Sequence, residues 1–477
     1  MSTPLWTIDE ILAATDARIG SGVTQASGAS IDTRTLNAGD LYFSIKGDVH
    51  DGHDFVPAAL EKGAAAAVVS EAKAPSFKEQ DRLIIVPDVL DAMRRLGIAA
   101  RKRSHAKVVA ITGSVGKTGT KEAMRLALSR QGSTHASVAS YNNHWGVPLT
   151  LARMPRETEF GIFEIGMNHA GEILPLTAMV RPHVAVITTV EPVHIEFFPS
   201  LWGIADAKGE IFSGLEPGGT AVINRDSPYF ERMAAHAMAS KAGRVVSFGE
   251  SEAAHIRAER ILVRPDFSLV EARIFGEPLT YRIGTAGRHI ALNSLSVLAA
   301  AHALGVDPLS VAQSFTELKP PVGRGERTML SVGAGEALLI DESYNANPAS
   351  VRAALNNLGA VELAGAGRRI AVLGDMKELG EKGPELHEGL ADAVEANGID
   401  LLFAAGPLMQ NLIDRLPKAK IAAHAPTSAD LVDAVCAAIR PGDAVMVKGS
   451  LSMKMALVVK ALKERYGASS AAQALKG

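Results

Sequence analysis

Gly113-Ser114-Val115-Gly116-Lys117-Thr118-Gly119 brings together the residue types that hold a polyphosphate. Its glycines let backbone N–H groups approach an anion closely. Lys117 adds a full positive charge for β- and γ-phosphates, and the Thr118 hydroxyl is a hard oxygen suited to Mg²⁺. The spacing, Gly-x-x-Gly-Lys-Thr, is shorter than the general phosphate loop, whose first glycine would fall on Ile111. The flanking segments are those such a loop requires. Residues 107–111 are short, β-branched and apolar, predicting a buried strand, and residues 121–129 are good helix formers. A helix N-terminus offers unpaired N–H groups and the positive end of the helix dipole. A surface turn is the competing reading, and the strand and helix around the loop argue against it.

Other polar residues fall where ligands gather in open parallel sheets, at the carboxyl ends of strands. Glu164 interrupts an apolar strand, where an unpaired carboxylate is costly to bury. A Mg²⁺ partner beside the phosphate loop explains it, as would a structural ion pair. His194 follows the strand at 184–190 and reads on its own as an exposed loop residue. Lys208 lies on an apparently amphipathic helix, where a solvated lysine is the plain expectation. Asp341 ends an apolar strand, a position that favours a ligand but also suits a turn or helix cap. Lys448 and Ser450 follow the strand at 444–447. Asp32-Thr33-Arg34, Lys46-Gly47 and Asp51-Gly52-His53 form polar clusters that read as turns or as ligand-binding loops.

The elements that must position these residues divide the 477-residue chain into three α/β units. Residues 1–102 mix short strands (64–69, 83–86) with a helix at 89–103. Residues 103–322 alternate strand and helix, with buried-type strands at 161–165, 184–188 and 220–224, and predict a mainly parallel sheet of phosphate-loop type. Residues 255–285 alternate polar and apolar, predicting an antiparallel portion, and a helix is expected at 289–304. Pro320-Pro321-Val322-Gly323-Arg324-Gly325 reads as a linker. Residues 323–477, with strands at 338–340, 370–373, 401–403 and 444–447, predict a Rossmann-like doubly wound unit whose tail beyond Tyr466 frays.

Composition narrows the function classes. Hydrophobic residues make up 47% and charged residues 21%, as in ordinary globular proteins, and a formal charge of −3 argues against broad capture of nucleic acid. The single cysteine, Cys436, excludes an intrachain disulfide or a cysteine-built zinc site and is expected in a core. No basic stretch followed by an apolar run opens the chain, and no segment is long and apolar enough to span a membrane, so a cytoplasmic location is expected.

Taken together, the short loop and three further motifs resemble the Mur ligase family, the ATP-dependent amide-forming enzymes of peptidoglycan synthesis. These motifs are Tyr344-Asn345-Ala346-Asn347-Pro348, Gly374-Asp375-Met376-Lys377-Glu378-Leu379-Gly380 and the stretch from Asn142-Asn143 to Leu151. They look like those of the member that adds D-alanyl-D-alanine to UDP-N-acetylmuramoyl-tripeptide. The resemblance spans all three units. It implies that Gly113 to Gly119 wrap the ATP phosphates, and that Thr118, Glu164, His194 and Lys208 serve a Mg²⁺ site. Lys208 would be carbamylated, which needs a neutral amine and so a depressed lysine pKa. Asn293, Arg324 and Asp341 match nucleotide-contacting positions. Asp32, Thr33, Arg34, Lys46, Gly47, Asp51, Gly52 and His53 match a UDP-sugar pocket. Asn142, Asn143, Asn345, Asn347, Lys448 and Ser450 would face the rest of the substrate. The family's His-Asn-x-x-Asn pattern departs at Ile290, with His289 and Asn293 kept.

The implied reaction forms an acyl phosphate from the tripeptide carboxylate and ATP, and the dipeptide amine then displaces phosphate. A monomer is expected. Two alternatives stand beside it. One is a related ligase of the diamino-acid-adding or folylpolyglutamate type with another acceptor, which the Tyr-Asn-Ala-Asn-Pro stretch argues against. The other is a nucleotide-switched binding protein that ligates nothing.

Overall fold

The computed structural model describes residues 4–138 and 140–467. The expected frayed tail, beyond its first residue, lies outside them. The phosphate-loop strand, Lys107–Thr112, stands inside a nine-stranded sheet with Phe160–Glu164 on one side and Val184–Ile187 on the other, both parallel to it. Chain order therefore reverses at this strand, which puts the loop at the switch point where open α/β sheets bind ligands. Val108, Val109, Ala110 and Ile111 are fully buried, as expected for a strand covered by helices on both faces. Parallel pairing continues through Gly219–Asn224 and Ala242–Gly249 to Ile256–Val263. The sheet then ends in the antiparallel strands Ser268–Ile274 and Glu277–Ile283, whose alternation the sequence carries.

The helix after the loop, Lys117–Leu128, starts four residues earlier than helix propensity alone predicts. Lys117 and Thr118 thus occupy its first turn. Gly119 and Thr120 are poor helix formers, and the helix is held instead by packing of Ala123, Met124, Ala127 and Leu128 into a core with the helix Arg288–Ala303.

The first unit carries a five-stranded sheet, four of whose strands are parallel, in the order Arg18–Ile19, Leu83–Val86, Ala66–Ser70, Asp40–Phe43, Gly28–Ser30. It is fixed to the central unit through the helix Gly146–Ala152. The Trp6 indole N–H donates to the Ala152 carbonyl (2.8 Å), and Arg153 Nε donates to Ala29 C=O (2.6 Å).

The C-terminal six-stranded sheet runs Glu326–Val332, Gly335–Glu342, Ala444–Lys448, Arg369–Gly374, Leu401–Ala405, Ile421–Ala425. Its first two strands form an antiparallel hairpin, and the others are parallel. The hairpin adds to the purely doubly wound reading. Strand Glu326–Val332 is an edge strand whose last four residues alternate in exposure, so its apolar content is too low to stand out in sequence. Ile421–Ala425, the other edge, is short and alanine-rich with no fully buried residue, so it too lacks a strand signal. Cys436 is buried as expected. One core cluster joins the central and C-terminal units, containing Ile195 and Phe198 from one side and Met376 and Leu379 from the other. Among the described residues no helix is long and apolar enough to cross a membrane.

Candidate active site

The phosphate loop is built by backbone geometry that only glycine tolerates at two points. Gly113 has φ 147° and Gly116 φ 89°. A Cβ on Gly113 would overlap the Thr188 hydroxyl, and one on Gly116 would overlap the Asn293 carboxamide. The Thr188 hydroxyl donates to Val115 C=O (2.6 Å), Ser114 N–H donates to Thr189 C=O (2.9 Å), and Ser114 Oγ exchanges hydrogen bonds with the Glu191 backbone (3.0 and 2.9 Å). The loop is thereby clamped to the end of the neighbouring strand. No side chain caps the helix that follows, so its first-turn N–H groups face the loop without a protein acceptor from a capping residue. Gly119 differs from Gly113, because a Cβ there meets nothing within 4 Å. Gly113→Ala should therefore cost about 1–3 kcal/mol of stability and weaken nucleotide binding. Gly119→Ala, in the first helical turn, should gain up to about 1 kcal/mol. Paired urea melts and ADP titrations check this contrast.

Glu164 ends its strand with its carboxylate buried. Thr118 Oγ1 donates to Oε2 (3.0 Å) and Asn142 Nδ2 donates to Oε1 (2.7 Å). Neither partner is a cation, so among the described residues the carboxylate is hydrogen-bonded rather than held in the structural ion pair considered from sequence. Ser140 Oγ lies 3.2 Å from the Thr118 hydroxyl, and Ser137 Oγ accepts from Glu164 N–H (3.3 Å). A buried carboxylate beside a threonine hydroxyl suits Mg²⁺, which takes one or two carboxylates with water and phosphate oxygens completing its shell. Among the described residues no three His, Cys, Asp or Glu side chains converge on one point. A cation here would accordingly need oxygens from the nucleotide or from a modified residue.

Lys117 faces this carboxylate, and Lys208, Arg324 and Lys448 follow in a run of basic groups that interact with Lys117 or with one another. The Lys117 ammonium donates to the carbonyls of Gly113 (2.6 Å) and Ser114 (3.4 Å). Burial lowers its pKa, Glu164 opposes the shift, and Arg324 adds to it. Lys208 is not the solvated lysine of the plain sequence reading. Its helix, Leu201–Gly209, turns it inward, where burial first and Lys117 second push its pKa well down. Lys448, also buried, donates to Asn345 C=O (2.9 Å) and lies 3.5 Å from Glu342 Oε2. Its pKa is lowered by burial, with Glu342 opposing and Arg324 reinforcing the shift. Arg324, from the linker, stacks on the Tyr344 ring at 4.1 Å. So much buried positive charge is tolerable only around an anion. A cavity of about 600 Å³ opens beside Thr118, lined by Ser140, Glu122, Arg125, Arg324 and Tyr344 among others, with room for a nucleoside.

Other predicted positions have local duties. Asp341 accepts from the backbone and hydroxyl of Ser343 (3.0 and 2.6 Å), the turn role allowed from sequence. Asn347 caps the helix Pro348–Gly359, and Asn143 Oδ1 caps the turn into Gly146–Ala152. Ser450 Oγ accepts from Lys377 N–H (2.9 Å), and Asn345 Oδ1 from Leu451 N–H (3.3 Å).

The first-unit residues lie in a separate group of loops. Asp32 and Arg34 pair at 2.7 Å, with Thr33 between them, and Arg34 is largely exposed. Lys46 bridges to Asp51 in the backbone, and Gly47 lies against the Trp145 ring. Burial raises the Asp51 pKa, but the His53 N–H and ring and Lys73 outweigh it and bring the value to about 2. His53 Nδ1 meets Asp51 at 2.6 Å while Nε2 accepts from Ser70 N–H (3.1 Å), so the buried ring pins the loop. Gly52 is required because a Cβ would run into the Ile45 backbone.

Sequence reasoning missed Ser140, Tyr344 as a stacking partner, and Glu378. Glu378 Oε2 lies 2.5 Å from His194 Nδ1. Tyr344 and Glu378 lie inside motifs visible in the sequence, but their contacts with Arg324 and His194 join separate segments that no spacing encodes, and Ser140 lies outside any motif.

Comparison with known proteins agrees with this geometry. Residues 25–104 match the Mur ligase family catalytic domain, 111–301 the Mur ligase middle domain, and 324–451 the Mur ligase glutamate ligase domain. The chain is 30% identical over 457 residues to the UDP-N-acetylmuramoyl-tripeptide--D-alanyl-D-alanine ligase of Rickettsia prowazekii, covering 95% of this chain and 99% of that one. It is 32% identical over 446 residues to the Escherichia coli enzyme of the same name, covering 91% and 93%. A crystal structure of MurF from Acinetobacter baumannii superposes with a TM-score of 0.83 at 28% identity, over 97% of this chain and 99% of that one. The MurF ligase of Thermotoga maritima in complex with ADP gives 0.74 at 25% identity, over 92% and 98%.

Proposed function

The chain belongs to the Mur ligase family, and from that premise we propose that it joins D-alanyl-D-alanine to UDP-N-acetylmuramoyl-tripeptide at the expense of ATP. The observation that carries this reading is a run of mutually interacting basic groups, Lys208, Lys117, Arg324 and Lys448, that reaches a phosphate loop whose neighbouring carboxylate, Glu164, is hydrogen-bonded by Thr118 and Asn142. We assign residues 1–102 to the UDP-sugar, 103–322 to ATP and 323–477 to the dipeptide side of the cleft.

In the proposed mechanism the loop N–H groups and Lys117 hold the β- and γ-phosphates. The tripeptide carboxylate attacks the γ-phosphorus in line, giving an acyl phosphate and ADP. The dipeptide amine adds to the acyl carbon, and the tetrahedral intermediate expels phosphate. Lys117 and Arg324 offset charge that grows on the transferred group, an electrostatic contribution that is large in a water-poor site. Mg²⁺, held by Thr118, Glu164, His194 and a carbamylated Lys208, would neutralise phosphate charge. Asn142 fixes the Glu164 carboxylate, and Asn293 fills the space against Gly116. Asp341 would turn toward ribose hydroxyls. The ease with which an acyl phosphate hydrolyses gives a reason for enclosing the reaction between units.

Phosphate release with Mg-ATP, omitting each co-substrate in turn, tests the reading. Release should require both the UDP-muramoyl-tripeptide and D-alanyl-D-alanine, with a product heavier by one dipeptide residue pair. Release with another amine alone would indicate a different acceptor. Release indifferent to any amine would indicate a nucleotide switch.

A further inference from the structure

The central and C-terminal units meet through two short loops, one ending in His194, three residues beyond the Glu191 that bonds the phosphate loop, and the other in Glu378. Both residues adopt left-handed backbone, with φ 58° and 62°, a conformation that side-chain-bearing residues seldom take. The chain approaches closely just beyond, where a Cβ on Gly380 (φ 55°) would stand 2.8 Å from Glu196 Cβ. Ile195, Phe198, Met376 and Leu379 bury into one core beneath the contact.

The Glu378 side is a rigid platform. Asp375, fully buried, accepts from Met409 N–H (3.0 Å) and pairs with Lys377 (2.9 Å). The buried His387 accepts from Met376 N–H (2.9 Å), and Ser450 from Lys377 N–H (2.9 Å). Every residue from 375 to 377 is thus tied down, and Glu378 projects from them to His194. Its Oε2 stands 2.5 Å from His194 Nδ1. The ring N–H is out of line with the oxygen, so the hydrogen bond is not aligned in this state. Bonds of this kind often align fully only with substrate in place.

We infer that Glu378 is a positioning residue for His194. Its carboxylate keeps the imidazole in the Nδ1–H tautomer and leaves Nε2 as the nitrogen with a free lone pair. A carboxylate on the far nitrogen is how proteins orient a metal-facing histidine. Here that carboxylate comes from the other unit, so the phosphate site is complete only when the C-terminal unit is docked. This rests on the assignment of His194 to the Mg²⁺ site made above.

The test uses the full-length chain, its histidines labelled with ¹⁵N, free of metal at pH 8. Two-bond ¹⁵N–¹H spectra should show His194 as the Nδ1–H tautomer, and Glu378→Ala and the near-isosteric Glu378→Gln should move it toward Nε2–H. In parallel, Mn²⁺ titration with ADP, read by electron paramagnetic resonance, should show affinity weakened by about 10–100-fold. The KM for the UDP-linked substrate should stay unchanged. An unchanged tautomer, or a changed tautomer with unchanged Mn²⁺ affinity, would overturn the proposal, since a mere clasp between units moves neither. Failure of the ligase reading would show separately, as a wild-type enzyme that forms no dipeptide-extended product.

Discussion

Lys117→Met is expected to lower turnover by about 10³-fold while leaving the protein folded. Removing one preorganised donor from a developing oxyanion costs roughly 10²–10³ in rate, and Lys117 brings a full charge as well as a donor. Its fold contribution is small by comparison. The ammonium bonds only to two carbonyls of its own loop, Gly113 and Ser114, and burial already disfavours its charge. Methionine keeps the length and apolar stem, so the midpoint of thermal unfolding should hold or rise slightly. Single-turnover phosphate release from Mg-ATP with both co-substrates, alongside calorimetry, measures the two effects. A folded variant within about tenfold of wild-type turnover would remove Lys117 from the reacting phosphate, since one tenfold step corresponds to only about 1.4 kcal/mol of barrier.

Residues 107–119 carry two signals that agree, an apolar β-branched run and a glycine-lysine-threonine spacing, and the fold places them at the switch point of the central sheet. The antiparallel ribbon at 256–283 is equally readable, because each of its strands alternates. The edge strand Glu326–Val332 is not, since only its last four residues alternate and the first three are half-buried. The site divides in the same way. Glu164 stands out because a carboxylate in an apolar strand demands an explanation. Lys208 misleads for a complementary reason. The helix expected to be amphipathic is nine residues long and has little sidedness, so sequence cannot tell which face turns inward, and the packed fold shows that the lysine is buried beside Lys117. Asn347, a motif residue, also caps the helix Pro348–Gly359 through its Oδ1, a structural duty that the motif alone does not reveal. Contacts such as His194 with Glu378 join segments nearly two hundred residues apart, and no local pattern encodes them.

Lys208 supports the other large expected effect. Carbamylation adds a neutral lysine amine to CO₂, forming an N–C bond and releasing a proton, and it places an anion beside Lys117. The amine must be neutral, and burial together with Lys117 favours that form. Enzyme incubated with ¹³C-bicarbonate should therefore show one protected carbamate carbon resonance that Lys208→Ala lacks. The same variant should lose turnover by about 10²–10³-fold, with part restored by a small carboxylate such as acetate that fills the vacated space. A wild-type protein without the resonance, or a variant of full activity, would sink the carbamate. Stability supplies a check with a definite sign. In the unfolded chain the lysine holds its proton up to about pH 10.4, whereas the buried amine releases it at lower pH. Between those two values the unfolded state binds more protons, so with CO₂ excluded the stability of the wild type should rise with pH relative to Lys208→Met. With CO₂ present the carbamate replaces the titrating amine, and that difference in slope should shrink.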